Sequence, residues 1–235
     1  MSHPLARVHT LTFDIFGTVL DLTGSIVPVV KDYLASKNSA IDPQQFWVDW
    51  RGRQRLEQHQ DTILMLGHGG YLEVARRALL FTLRRYGVEF SDGESTEIIK
   101  VFERLKPFED ARIGLEKLSE HYKLVALSNG NQWLIDHLTE NNIDVKFDGC
   151  LSVERVGRFK PHPSVYRMAA TELDCAPGEI MMVAAHSFDI LGARACGFRG
   201  TFVNRYKLPY EESKLQPDLV VNDFVELAEA LAEYR

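Results

Sequence analysis

Leu11-Thr-Phe-Asp-Ile-Phe-Gly-Thr18 decides how this chain reads, because it leaves a lone carboxylate, Asp14, where a strand stops. The run from Val8 to Phe13 is apolar and β-branched, as a buried strand requires, and Gly17 ends it with a flexible turn. In open α/β sheets ligands bind beyond the carboxyl ends of the strands, so Asp14 is expected in the active crevice. A carboxylate held there can act as a nucleophile and form a covalent ester. Taken alone, Asp14 fits a turn or N-cap aspartate equally well.

After that strand the pattern changes. From about Thr23 to about Lys106 the periodicity is helical, with Ile26, Val29, Val30, Tyr33 and Leu34 at helical spacing. Asp42-Pro43 reads as an N-cap followed by proline at the first helical position, opening a helix through roughly Gln58. Helices are also expected from Tyr71 to Tyr86, where Gly87 stops the chain, and from Ser91 to Leu105; Gly67-His-Gly-Gly70 reads as a loop. Strand and helix then alternate. Strands are expected at Lys123–Leu127, Phe147–Val153, Ile180–Ala184, Thr201–Val203 and Asp218–Val221. The helices between and after them are expected at Asn131–Asn141, Pro163–Leu173, Ser187–Cys196 and from about Asp223. Such alternation predicts right-handed crossovers and a parallel sheet. The expected architecture is α/β: a doubly wound, Rossmann-like core of residues 1–20 and 106–235, interrupted by an all-helical cap of residues 21–105.

With 45% hydrophobic and 26% charged residues, the 235-residue chain has the composition of a globular protein. Its net charge of −6 argues against nucleic acid or an anionic membrane as partner, while leaving room for a local cationic pocket. Cys150, Cys175 and Cys196 form no Cys-x-x-Cys pair and read as reduced, packing cysteines. Met1 to Arg7 has no apolar signal core and no stretch is long enough to span a bilayer, so a cytoplasmic location is expected.

Four strand ends carry polar residues. The first is Asp14, with Thr18 beyond the turn. The second is Ser128-Asn129-Gly130, where backbone N–H groups opening a helix suit a carboxylate or phosphate, although Ser-Asn-Gly is also an ordinary cap and turn. The third is Lys160 in Arg158-Phe-Lys160-Pro-His-Pro, for which a solvated lysine is the plainer reading. The fourth is His186-Ser-Phe188-Asp189, whose aspartate also suits a first helical turn. All four are expected to converge on one mouth of the sheet.

That order, Asp14, then Ser128-Asn129, then Lys160, then Asp189, resembles the haloacid dehalogenase superfamily over nearly the whole chain. The superfamily's phosphatases place an acid/base aspartate two residues after the nucleophile, where this chain has Phe16. Their magnesium-binding aspartate of the fourth motif falls at about Ala185. Phosphoryl transfer thereby loses two supports. Asp14-x-Phe16-Gly-Thr18, the Ser-Asn pair and Lys160-Pro-x-x-x-x-Tyr166 resemble instead the L-2-haloacid dehalogenase branch, which works without metal or other cofactor.

The resemblance implies hydrolysis of a small halogenated carboxylate to a hydroxy acid, with inversion at C2. Ser128 and the backbone N–H groups of Ile15 and Asn129 would hold the substrate carboxylate while Asp14 attacks C2. Halide would leave toward Asn129 and a cap arginine, and it needs no proton, which is why Phe16 can stand where a phosphatase needs an acid. Asp189 would assist the water that opens the ester. Lys160 would keep Asp14 ionised, Thr18 and Tyr166 would support by hydrogen bonds, and Phe16 and Phe188 would exclude water. For the cap arginine, the branch uses one that follows an aromatic residue. Trp47, Arg51 and Arg55 share a helix face, so periodicity alone does not separate the two arginines; Arg53 lies off that face. The Trp50-Arg51 adjacency favours Arg51. Phe46, Trp47, Trp50 and Tyr71 are expected mainly as cap core.

The chain departs from the branch in having Ala184 and His186 where serine and asparagine are common. His186 would narrow the pocket or bond the substrate, favouring small haloacetates including fluoroacetate; a histidine satisfied by backbone groups fits the sequence equally well. The resemblance also suggests a homodimer, with no nucleic-acid or membrane partner. A magnesium-dependent phosphatase and a non-catalytic binding protein on the same fold are the competing readings.

Overall fold

Short apolar runs, buried along nearly their whole length, build one sheet from strands far apart in sequence. The computed structural model describes residues 3–65 and 67–234, so Met1, Ser2, Leu66 and Arg235 of the expected domain ranges lie outside the described residues. In chain order the elements are β1 (Thr10–Phe13), β2 (Leu20–Asp21), α1 (Leu22–Ser36), α2 (Pro43–Ile63), α3 (Tyr71–Arg85), α4 (Asp92–Ile99) and β3 (Lys106–Pro107). There follow α5 (Ala111–Ser119), β4 (Lys123–Ser128), α6 (Gln132–Asn141), β5 (Gly149–Ser152), α7 (Pro163–Leu173) and β6 (Ile180–Ala184). The chain ends through α8 (Ser187–Ala195), β7 (Arg199–Val203), β8 (Leu219–Val221) and α9 (Phe224–Ala232).

Six strands form a parallel sheet in the order β5-β4-β1-β6-β7-β8. From β1 the chain steps outward through β4 and β5, then returns to the other side of β1 with β6. The order reverses between β1 and β6, and the loops after these two strands flank the crevice where ligands bind in such sheets. Side chains alternate between faces. Leu11, Phe13, Leu124, Ala126, Met181 and Val183 pack against α5, α6 and α9, whereas Val125, Leu127, Ile180, Met182 and Ala184 pack against α7 and α8. With both faces covered, strands such as β1 are buried at every residue.

Helices α1 to α4 are inserted between β2 and β3, which pair antiparallel as Leu20 with Pro107 and Asp21 with Lys106. This two-stranded ribbon carries the chain out of the sheet and back. Asp42 caps α2 by accepting from Gln44 N at 3.1 Å, and Pro43 occupies the first turn.

The expected bounds shift at several places. β1 begins at Thr10 rather than Val8, and the strand expected from Phe147 to Val153 is confined to Gly149–Ser152 with a 3₁₀ turn at Val153–Arg155. α2 runs past Gln58 to Ile63 because its buried Glu57 and Asp61 pair with Arg77 of α3, at 3.1 and 2.7 Å. The helix expected from Ser91 to Leu105 gives way at Lys100 to a 3₁₀ turn, Lys100–Arg104. α5 was not foreseen. It is short and has glycine inside, which weakens a helix signal, yet a Cβ at Gly114 would lie 2.3 Å from Phe224 Cβ, so glycine permits the close approach to α9. Among the described residues, no helix is long and apolar enough to cross a membrane.

Candidate active site

The turn after β1 is fixed before any ligand arrives. Asp14 N–H donates to the Val183 carbonyl of β6 at 3.0 Å, and the Ile15 carbonyl accepts from Val19 and Leu20 at 3.1 and 2.9 Å. Gly17 has φ +87°, and a Cβ there would sit 3.0 Å from the Tyr206 hydroxyl and 3.1 Å from His186 Cε1. Left-handed backbone and crowding thus both require glycine. Phe16 points toward the inserted helices and stacks on Tyr71 of α3, with centroids 4.3 Å apart and planes 12° from parallel.

Beneath this stack lies a buried network of charge. Asp14 is 7% exposed, and Lys160 and Asp189 are each 1% exposed. The Thr18 hydroxyl donates to Asp14 Oδ2 at 2.7 Å and accepts from Ala185 N at 2.9 Å. Lys160 Nζ donates to Asp14 Oδ1 at 3.2 Å and to Asp189 Oδ2 at 2.7 Å. The Tyr166 hydroxyl donates to Asp189 Oδ1 at 2.7 Å. Lys160 is neither a surface lysine nor at a strand end. It follows the 3₁₀ turn after β5, in the loop leading to α7, with its backbone N–H on Asn129 Oδ1 at 2.9 Å.

One ammonium serves two carboxylates, so they cannot share an environment. Burial alone would raise Asp14, but the Lys160 charge and the Thr18 hydroxyl outweigh it and hold the carboxyl below its ordinary value. Asp189 goes the other way. Burial, reinforced by the Asp14 charge and only partly offset by Lys160, pushes it up to about 6. Burial works against the Lys160 charge, yet Asp189 and Asp14 together keep it raised. Burial and Asp189 raise the Tyr166 hydroxyl well above its ordinary value.

Ser128 and Asn129 stand next to this network because β1 and β4 are in register at Phe13 and Ala126. The Ser128 hydroxyl accepts from Gly130 N at 3.1 Å, and Ser152 Oγ donates to the Gly130 carbonyl at 2.6 Å.

Facing the core, α2 presents two arginines. Arg51 Nη1 donates to Gln54 Oε1 at 2.8 Å and to the Tyr71 hydroxyl at 3.2 Å. Arg55 Nη2 reaches across to His186 Nε2 at 3.2 Å, its guanidinium 6.0 Å from the Phe188 ring centroid. Arg53 turns away, pairing with Glu57 at 2.8 Å and lying 4.0 Å over Phe81. Neither Arg51 nor Arg55 has a carboxylate partner within 4.0 Å among the described residues. Trp47, Arg51, Arg55, His186, Phe188 and Tyr206 line a cleft of about 270 Å³ whose wall includes Ala185, the residue bonded to Thr18. Ser128 and Asn129 do not line it. Burial, followed by the Arg55 and Arg51 charges, lowers His186 to about 4, so the imidazole is neutral near pH 7 and its Nε2 accepts from Arg55. It is thus satisfied by a side chain facing it across the cleft. Trp47 walls the cleft, while Phe46 and Trp50 are interior.

Two residues escaped the sequence reading. Tyr206 donates to the Gly17 carbonyl at 2.9 Å, and Arg205 donates from Nε to the Thr18 carbonyl at 2.8 Å while gripping both Asp110 oxygens at 2.6 and 2.8 Å. Their signal was position alone, just past the carboxyl end of a sheet strand.

The donors do not suit the magnesium of the superfamily's phosphatases. Asp189 is engaged by Lys160 and Tyr166, and Phe16 and Ala185 bring no side-chain oxygen. Among the described residues no three His, Cys, Asp or Glu side chains converge as a metal would require.

The chain is also similar to known proteins in sequence and in fold. Residues 8–197 match the family model of haloacid dehalogenase-like hydrolases. The chain is 31% identical over 225 residues to (S)-2-haloacid dehalogenase 4A of Burkholderia cepacia, covering 94% of each. It is 27% identical over 219 residues to haloacetate dehalogenase H-2 of Moraxella sp. (strain B), covering 92% of this chain and 95% of that one. A crystal structure of a dehalogenase with an intermediate complex superposes with a TM-score of 0.87 at 28% identity, covering 96% of this chain and 98% of the other.

Proposed function

This chain belongs to the haloacid dehalogenase-like hydrolases, and on that premise we propose that it hydrolyses the carbon–halogen bond of small 2-haloalkanoic acids. One observation carries the reading most directly. Asp14 is a buried carboxylate kept ionised by Lys160, and the position where a phosphatase would keep its acid is filled by an aromatic stack of Phe16 on Tyr71. A halide leaves as an anion and needs no proton, so displacement at C2 proceeds without the acid that a phosphatase keeps beside its nucleophile.

In this mechanism the segment of residues 21–105 acts as a cap over the core, with substrate between them. The Ser128 hydroxyl and the backbone N–H groups of Ile15 and Asn129 hold one edge of the substrate carboxylate. An Asp14 oxygen attacks C2, the new C–O bond forms as the C–X bond breaks, and the halide departs with the electron pair toward Arg51 and Asn129. Water then adds to the Asp14 side-chain carbonyl and gives its proton to Asp189. On collapse Asp189 passes that proton to the departing alkoxide oxygen, the Asp14 carboxyl loses the proton left from water, and a 2-hydroxy acid inverted at C2 is released. Overall, haloacid and water become hydroxy acid, halide and one proton. Asp189 at about 6 is ionised at neutral pH and able to take that proton. Thr18 and Tyr166 orient the two carboxylates, and Phe188 limits water at the cleft.

The test is free chloride released from L-2-chloropropionate and chloroacetate with EDTA present. Metal-independent release supports the proposal. Hydrolysis of phosphate esters that requires magnesium, without chloride release, would replace it with the phosphatase reading.

A further inference from the structure

The two cap arginines are held differently. We propose that Arg55 is a clamp for the outer edge of the substrate carboxylate, and that His186 occupies it until substrate arrives. This rests on the dehalogenase reading above and adds a binding residue to it.

Arg51 is anchored inside the inserted helices by Gln54 Oε1 and the Tyr71 hydroxyl, at 2.8 and 3.2 Å. Those bonds fix its direction, as a pocket for a departing halide needs. Arg55 has no such anchor. Its hydrogen-bond partner is the neutral His186 imidazole at 3.2 Å, on the opposite wall, and its Nε is buried without a partner among the described residues. An unmatched buried donor on a charged group is costly and calls for an account, a bound anion being one that fits a cleft wall. The missing partner is an anion with two oxygens. A carboxylate entering the cleft would meet the guanidinium fork with one oxygen on Nη2, replacing His186 Nε2, and the other on Nε. The exchange replaces a neutral acceptor by a charged one and satisfies the orphan. A spherical halide could satisfy neither edge as well. Arg55 remains a cation while it waits, for burial and the Arg51 charge lower it only to about 10.

The occupied position lies where the substrate needs it. Ala185, next to His186, donates to Thr18, whose hydroxyl holds Asp14. A carboxylate at Arg55 therefore leaves C2 on the Asp14 side of the cleft.

Calorimetric binding of propionate and propionamide, neither of which has a leaving group, tests the clamp apart from turnover. The wild-type protein should bind propionate more tightly than propionamide. Arg55→Met should weaken propionate by roughly ten- to a hundredfold and leave propionamide unchanged. Arg55→Lys, which keeps charge without the fork, should fall between. His186→Leu removes the competing acceptor and should tighten propionate several-fold, a gain that structural damage does not produce. Unchanged propionate binding in both Arg55 variants, equal losses for acid and amide, or weaker propionate binding in His186→Leu would overturn the proposal. Absence of chloride release with propionate binding as expected would instead overturn the dehalogenase reading and leave the clamp standing.

Discussion

The core side and the cap side of the crevice are finished to different degrees. On the core side Asp14, Thr18, Lys160, Tyr166 and Asp189 are buried and bonded to one another, so the two carboxylates share one ammonium and each also accepts from a hydroxyl. On the cap side Arg51 and Arg55 face the cleft without a carboxylate partner among the described residues, and Gln54 Nε2 and Arg55 Nε are buried and unmatched. The contrast fits a division of labour. In the proposed mechanism the nucleophile and base hold set protonation states before substrate arrives, whereas the residues that receive anions stay unsatisfied until then.

The largest expected effect tests the core side. Asp14→Asn should lower kcat by about 10⁴-fold or more while leaving propionate binding measurable, since the cap side keeps its donors. Steady-state kinetics and calorimetry on one preparation check both halves of that statement. Lys160→Met should come next, because it leaves two buried carboxylates without their ammonium. A destabilisation of about 3–5 kcal/mol is expected in urea unfolding, and a loss near zero would show the network to be far less coupled than its geometry implies.

Arg51→Ala moves the test across the crevice. Halide stabilisation develops only in the transition state, so kcat should fall by about 10²–10³-fold with little change in unfolding midpoint. Arg53→Ala, on the face turned toward Glu57 and Phe81, should change neither.

This asymmetry also explains what the sequence made legible. Asp14, Ser128, Asn129 and His186 could be placed because each lies at the end of a strand that periodicity reveals, and Asp189 because it falls in the first turn of the helix that follows. Lys160 joins them through a loop, and only the motif resemblance pointed to it. On α2 a shared helical face left Arg51 and Arg55 equivalent, and their distinction needed partners from elsewhere: Gln54 and Tyr71 for one, His186 for the other. Tyr206 and Arg205 lie in an irregular segment, where no period marks a face. α5 was hidden because its interior glycine reflects packing against α9 rather than local propensity.

Smaller effects sharpen the comparison. Tyr71→Phe keeps the stack on Phe16 but removes one of the two acceptors holding Arg51, so a loss of about 0.5–1.5 kcal/mol in kcat/KM is expected, with stability nearly unchanged. The pH profile gives a gentler test. Asp189, at about 6 in the free protein, must be ionised to take a proton, so activity should decline as pH falls through that region. Once Asp14 is esterified its negative charge is gone, and that charge is one of the causes raising Asp189. Where ester hydrolysis limits turnover, the acid limb of kcat should therefore lie below about 6, and Asp189→Asn should abolish it. A limb well above that value would assign the base elsewhere.

Single-turnover reaction with L-2-chloropropionate in ¹⁸O-water, followed by mass analysis of the peptide containing Asp14, tests the central claim most directly. If an Asp14 oxygen displaces halide, water opens the ester at the side-chain carbonyl, the label enters the Asp14 carboxylate, and the first lactate carries an unlabelled oxygen from the protein. Labelled lactate with an unlabelled Asp14 would mean that water attacks C2 itself, and would contradict the account.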